Sequence, residues 1–222
     1  MCGRYTITLE PGELQEELNL DALPDSWMPR YNVAPTQPVG VLVDANHRVL
    51  EWMRWGLIPT WAKDPSIGSK LINARSETAA EKPSFRSAFQ HRRCLIVADG
   101  FYEWLKPESG CGKSSPFYFR LKSGRAFWFA GLWESWEPAE GMTIRTCTIL
   151  TTTANALVAA VHERMPVILS TENAPTWLIE NERGTLQSLL KPYDSEEMEA
   201  RQVSKRVNEA KLDGPECLQA GE

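Results

Sequence analysis

From residue 94 to residue 153 the chain is a succession of short apolar and aromatic runs. CLIVADGFYEW, PFYFRLK, RAFWFAGLW and TIRTCTILTT follow one another, separated by Gly-, Ser- and Pro-containing turns. Runs of this length, rich in β-branched and aromatic residues, predict strands. PVGVLVD and HRVLEWMRW flank DANH and predict a hairpin, and MPVILS and RQVSKRVN read as later strands. Helical spacing is rarer. It predicts a short amphipathic helix in PGELQEELNL, through Leu14, Leu18 and nearby Leu20, and further helices in ANALVAAVH, TENAPTWLIE and GTLQSLLK. Strands outnumber helices and do not alternate regularly with them. That pattern predicts an α+β fold, a curled and mostly antiparallel β-sheet or barrel with flanking helices, rather than a doubly wound sheet.

The 222 residues contain no internal repeat, long linker or low-complexity tract, which predicts one domain over 1–222. The first residues lack the apolar core of a signal peptide, and no apolar run approaches the length of a membrane span. Five cysteines (Cys2, Cys94, Cys111, Cys147, Cys217) form no CxxC pair, and the three histidines are scattered. These features predict a cytoplasmic protein with free thiols, no metal and no cofactor. The net charge of −5 argues against a strongly basic DNA coat, but it is uneven. Residues 1–130 hold 16 Lys and Arg against 14 Asp and Glu, and the remainder holds 8 against 15. Contact with nucleic acid should therefore be short and use a few arginines.

Candidate chemistry starts at MCGRY. Removal of Met1 would leave Cys2 with a free α-amine and a thiol on neighbouring carbons, a 1,2-aminothiol that no internal cysteine offers. Such an amine has a reference pKa of about 7.7–8.0, so roughly a tenth of it is unprotonated at neutral pH. In GFYEW, strand alternation puts Phe101, Glu103 and Leu105 on one face and Tyr102 and Trp104 on the other. A carboxylate between apolar neighbours loses hydration, which raises its pKa and makes Glu103 a candidate general acid. LINARSETAAE predicts a helix start with Asn73 as N-cap. Arg75 would then oppose the helix dipole, as a cation does when it serves an anion. His162 ends an apolar helix just before Arg164, where it would cap the helix or, in a cleft, move protons. WGLIPTWAKD brings two tryptophans around Pro59, and a loop tryptophan there would stack an unpaired base.

MCGRY, YNVAPTQ, RWGLIPTW, INARSE, RRCLIVADGFYEW and ANALVAAVHERMPVIL, in this order, resemble the SOS-response-associated peptidase (SRAP) family, whose members bind abasic sites in single-stranded DNA. The matching stretches run from Cys2 to about Asn208 and leave a short C-terminal tail. The resemblance implies a compact α+β fold in which Cys2, Asn73, Glu103 and His162 share one catalytic pocket. It carries DNA contacts to Arg4, Asn32, Trp61, Arg75 and Arg164. It also implies a bacterial-type monomer associated with the nucleoid when it acts, whose partner is single-stranded DNA containing abasic sites. The implied chemistry is covalent capture. The Cys2 amine attacks the aldehyde of the ring-opened sugar to form an imine, and the thiol closes a thiazolidine. Autocatalytic removal of residues before the cysteine and weak strand cleavage by β-elimination belong to the same expectation.

Two other functions are compatible with parts of the sequence. Glutamine amidotransferases also begin Met-Cys-Gly, with the thiolate as nucleophile and the α-amine as base, and would release ammonia from glutamine. A plain single-strand DNA-binding module would hold intact and abasic strands alike and form no covalent product.

Overall fold

The computed structural model describes residues 2–107, 114–138 and 140–221. Its strands are β1 (Arg4–Ile7), β2 (Arg30–Val33), β3 (Pro38–Leu42), β4 (Glu51–Trp55), β5 (Asn73–Arg75), β6 (Arg93–Ala98) and β7 (Gly100–Leu105). They continue with β8 (Ser115–Leu121), β9 (Phe127–Trp136), β10 (Ile144–Thr153), β11 (Arg164–Pro166), β12 (Ile168–Leu169) and β13 (Met198–Gln202). The helices are α1 (Pro11–Leu18), α2 (Arg86–His91), α3 (Ala156–Ala159), α4 (Ala174–Ile179) and α5 (Arg183–Leu189). The fold is α+β, as the pattern of runs predicts.

The predicted hairpin forms as β3 and β4, antiparallel with Pro38 opposite Arg54 and Gly40 opposite Trp52. It belongs to a closed ring of strands. β4 pairs parallel with β10, β10 antiparallel with β9, β9 with β6, and β6 back to β3. A second sheet has the order β13-β8-β7-β1-β2. Closure explains the continuous apolar character of CLIVA. Cys94, Ile96 and Ala98 of β6 join Phe127, Phe129, Cys147 and Ile149 in one core, with Tyr5, Phe101 and Phe119 of the second sheet. Leu95 and Val97 point the other way, to a second core with Leu14 and Leu18 of α1, Trp177 of α4 and Leu186 of α5. A strand buried on both faces shows no polar alternation. Each fully buried side chain of this kind contributes about 1.5–3 kcal/mol.

CLIVADGFYEW, expected as one strand, divides between the two sheets at Asp99 and Gly100. The buried Asp99 carboxylate accepts from Thr6 Oγ1 at 2.5 Å, the Thr8 amide at 2.5 Å and Thr8 Oγ1 at 2.6 Å, which ties the corner to β1. At Gly100 a Cβ would stand 2.2 Å from the Tyr118 hydroxyl, so only glycine lets β7 cross the ring so closely.

Three other local expectations change. LINARSETAAE does not begin a helix at an Asn73 N-cap. Residues 73–75 are β5, parallel to β10 with Asn73 opposite Ile149, and turns follow until α2. The Ile72 carbonyl and the Ser76 amide bond to β10 at 3.2 and 2.9 Å, and that edge pairing overrides helix propensity. In RQVSKRVN the strand β13 ends at Gln202, and Ser204 caps a 3-10 turn over Lys205–Asn208. MPVILS splits into the ends of β11 and β12, and β1 and β2 arise in stretches where no strand is predicted. Cys2, Cys94, Cys147 and Cys217 are free thiols, while Cys111 lies outside the described residues. Among the described residues no helix is long and apolar enough to cross a membrane, and no three His, Cys, Asp or Glu side chains converge on a metal-sized site.

Candidate functional site

The second sheet brings the amino-terminal strand to Glu103. β1 runs antiparallel to β7, with Arg4 opposite Tyr102 and Tyr5 opposite Phe101. Continued by one pair, that register sets Gly3 opposite Glu103 and Cys2 at its shoulder. Cys2 is fully buried in the core shared with Phe101 and Phe119, with its thiol 3.9 Å from the Arg4 carbonyl. Glu103 is 3 % exposed. The two groups interact: burial first, and then the Glu103 charge, push the Cys2 thiol well above its ordinary value. The thiol is therefore neutral at physiological pH.

The ring supplies the other wall through β10. Asn73 enters from β5, parallel to β10, and donates from Nδ2 to the Cys2 carbonyl at 2.7 Å. Its Oδ1 is buried and has no hydrogen-bond partner among the described residues. β11 pairs antiparallel with the far end of β10, with Arg164 opposite Thr153, and the turn between α3 and β11 carries His162. The Arg164 amide donates to His162 Nδ1 at 3.0 Å, and the Arg164 carbonyl oxygen lies 3.3 Å from the same nitrogen. Burial raises the Glu103 pKa, and positive charge, His162 included, pulls it part of the way back. Cys2, Asn73, Glu103 and His162 thus form one contiguous group, linked by a hydrogen bond between the first two and by electrostatic contact of Glu103 with Cys2 and with His162. The group combines a buried thiol, an amide with a spare acceptor, a carboxyl held towards its neutral form and a histidine.

The residues expected at DNA divide into two kinds. Arg75 ends β5 exposed beside the group, and Trp61 is 57 % exposed in the loop after β4. Arg4, Asn32 and Arg164 are turned to the chain itself. Arg4 Nη1 donates to Asn32 Oδ1 and to the Val207 carbonyl, both at 2.7 Å. Asn32 is fully buried, and its Nδ2 donates to the carbonyls of Val207, Glu209 and Leu212. Arg164 forms a bidentate pair with Glu77, at 2.6 and 2.9 Å, and donates to the Thr151 carbonyl at 2.6 Å. Glu77 is the residue that sequence reasoning does not single out. Its arginine partner holds its carboxyl below the ordinary range, and through Arg164 it secures the turn that orients His162. An acidic residue four positions after Asn73 in INARSE was the available signal, but its partner lies 87 residues away.

A family model described as SOS response associated peptidase (SRAP) matches residues 1–210. The abasic site processing protein YoqW of Bacillus subtilis is 48 % identical over 229 residues, covering 99 % of this chain and all of that one. The abasic site processing protein HMCES of Xenopus tropicalis is 31 % identical over 265 residues, covering 99 % of this chain and 78 % of its own. Among solved structures, a protein from Bacteroides thetaiotaomicron superposes with a TM-score of 0.87 at 25 % identity, over 99 % of both chains.

Proposed function

This chain belongs to the SOS response associated peptidase (SRAP) family, and from that premise we propose that it processes abasic sites in single-stranded DNA by covalent capture at Cys2. The observation that carries this reading is the bond from Asn73 Nδ2 to the Cys2 carbonyl beside the buried Glu103. It holds the backbone of the reactive residue, rather than its thiol alone, against an acid–base pair. A site built for thiolate attack would lower the thiol pKa. Here burial raises it, which suits a sequence in which the amine attacks first and the thiol closes second.

Removal of Met1 frees the α-amine, and Asn73 Oδ1 supplies the acceptor that orients it. Glu103 in its neutral form protonates the ring oxygen of the sugar hemiacetal as the C1–O bond opens, and the proton of the C1 hydroxyl passes to His162 as the aldehyde forms. The amine lone pair adds to that carbon, its surplus proton passes to the new hydroxyl, and loss of water with a proton from His162 leaves a protonated imine. The thiol sulfur then adds to the imine carbon, its proton passes to the site's base, and the nitrogen electron pair is restored. The product is a thiazolidine, and water is the only other product. Strand cleavage by β-elimination from the imine is the side reaction, and removal of residues preceding Cys2, the step that first frees the amine, is the peptidase activity that the Cys2 thiol and the Glu103 carboxyl would serve. Neither the amidotransferase reading nor the plain DNA-binding reading gives Asn73 and His162 a role at Cys2.

Intact-mass analysis after incubation with abasic and undamaged oligonucleotides tests the proposal. The expected result is a one-to-one adduct with the abasic strand alone, at the summed masses less one water. A second expectation concerns Arg75, the exposed cation beside the group. Arg75→Ala should slow capture and reduce the slope of log affinity against log salt by about 0.7, the value for one lost phosphate contact on a single strand. An unchanged slope and rate would remove Arg75 from the phosphate site.

A further inference from the structure

We infer a second nucleotide subsite outside the Cys2 group, on the outer face of β4, where Trp52 stacks a base and Arg54 binds the adjoining phosphate of the strand that flanks the lesion. It rests on the reading that the substrate is a single strand. The two residues are two apart on one strand, so they share a face roughly 6.8 Å apart, while Met53 and Trp55 point into the core. They line a groove of about 510 Å³ with Thr36, Pro38, Met142 and Arg145.

The tryptophan is a prepared platform. Trp27 stacks on one face of its ring, with centroids 5.1 Å apart and planes 11° from parallel, and Trp52 Nε1 donates to the Asp25 carbonyl at 3.2 Å. Gly40 makes this possible, because a Cβ there would meet the Trp27 ring at 2.5 Å. Held from one side, Trp52 remains 37 % exposed, with a face for an incoming ring. Base stacking on such a face tolerates any sequence.

The arginine supplies the charge. Arg145 in the same groove is already ion-paired with Glu51 and lies over the Trp133 ring at 4.4 Å. Arg54 has no ion pair and no side-chain hydrogen bond among the described residues, and its Nε is buried without a partner. A guanidinium left unsatisfied beside an open aromatic face complements one nucleotide: a base and its phosphate.

The groove also adjoins the proposed DNA face. Ile144 on its wall packs with Ile58 and Ala62 of the loop that carries Trp61. Trp55, next after Arg54, donates from Nε1 to the carbonyl of Ile72, the residue before Asn73, at 2.8 Å. Through Ile144 the groove lies next to the loop that carries Trp61, the side from which a strand passing Trp61 would reach Trp52 and Arg54.

The test uses the Met1-processed full chain and fluorescent single strands whose abasic site carries either a minimal flank or an added flank on the 5′ or the 3′ side. The wild type should gain affinity when the flank is added on one side. In Trp52→Ala with Arg54→Gln that gain should fall by roughly five- to a hundredfold, the range for one lost stacked base, and the salt slope by about 0.7. Capture of the minimal strand at saturation should stay at the wild-type rate. Trp52→Phe and Arg54→Lys, which keep an aromatic face and a charge, should restore most of the gain and the slope, which a damaged fold would not. A flank that adds nothing for the wild type, or a double variant that keeps both gain and slope, overturns the subsite. Absence of any adduct from wild-type protein on the minimal strand would instead overturn covalent capture, and flank affinity measured on undamaged strands would still decide the subsite.

Discussion

Protein shown by mass to retain Met1 should form no heat-stable adduct with an abasic single strand, whereas the same chain starting at Cys2 should be captured to completion. Retention leaves the thiol, the fold and the Asn73 contact to the Cys2 carbonyl in place, and changes one thing: the α-amine becomes an amide nitrogen whose lone pair is delocalised. Cys2 variants separate the two nucleophiles further. Cys2→Ala keeps the amine, so borohydride should trap an imine, but no ring can close and no stable product should survive heating. Cys2→Ser should give at most a labile oxygen analogue, since a hydroxyl is a far poorer nucleophile than a thiol. A full-strength, heat-stable adduct from a chain that retains Met1 would falsify amine-first capture and return Cys2 to the role of a simple thiol.

The second large effect is expected at Glu103. Glu103→Gln keeps size and hydrogen bonding but removes acid–base capacity, so capture of a ring-closed abasic site should slow by about 10²–10⁴-fold. The sign of the pH dependence follows from burial, which raises the Glu103 pKa. The neutral acid is present below that raised value and is lost as pH rises through it. Wild-type capture should therefore lose, as pH rises through that raised value, a contribution that the glutamine variant never had. The gap between the two should be widest below that raised value and narrow as pH rises through it. Stopped-time crosslinking across this range is the measurement. Wild-type rates from Glu103→Gln on a ring-closed substrate would reassign the acid, with His162 the next candidate.

The raised Glu103 pKa was legible in FYEW because strand alternation alone placed the carboxyl between Phe101 and Leu105, and burial on the Phe101 side follows from that. Asn73 was legible as a candidate site residue only by resemblance. Its local signal pointed to a helix cap, and the pairing that makes it a strand residue is with Ile149, which no local window contains. Arg4, Asn32 and Arg164 looked free because an arginine or asparagine in sequence always does. Their partners are backbone carbonyls at 207–212 and Thr151 and the carboxylate of Glu77, contacts of long sequence separation.

By itself the sequence determined the class of fold and the candidate nucleophile: strand runs of period two and mixed burial, one early helix, and a cysteine at position 2, since these depend on composition and spacing within a few residues. The tertiary structure alone decided that β6 and β7 part company at Asp99, that β10 carries both Asn73 and the His162 turn, and that one arginine of the Trp52 groove is neutralised while Arg54 is not. The physical reason is the same in each case. Backbone hydrogen bonds and charges are satisfied by whichever group the closed ring brings near, and ring closure joins residues tens of positions apart whose proximity no local preference encodes.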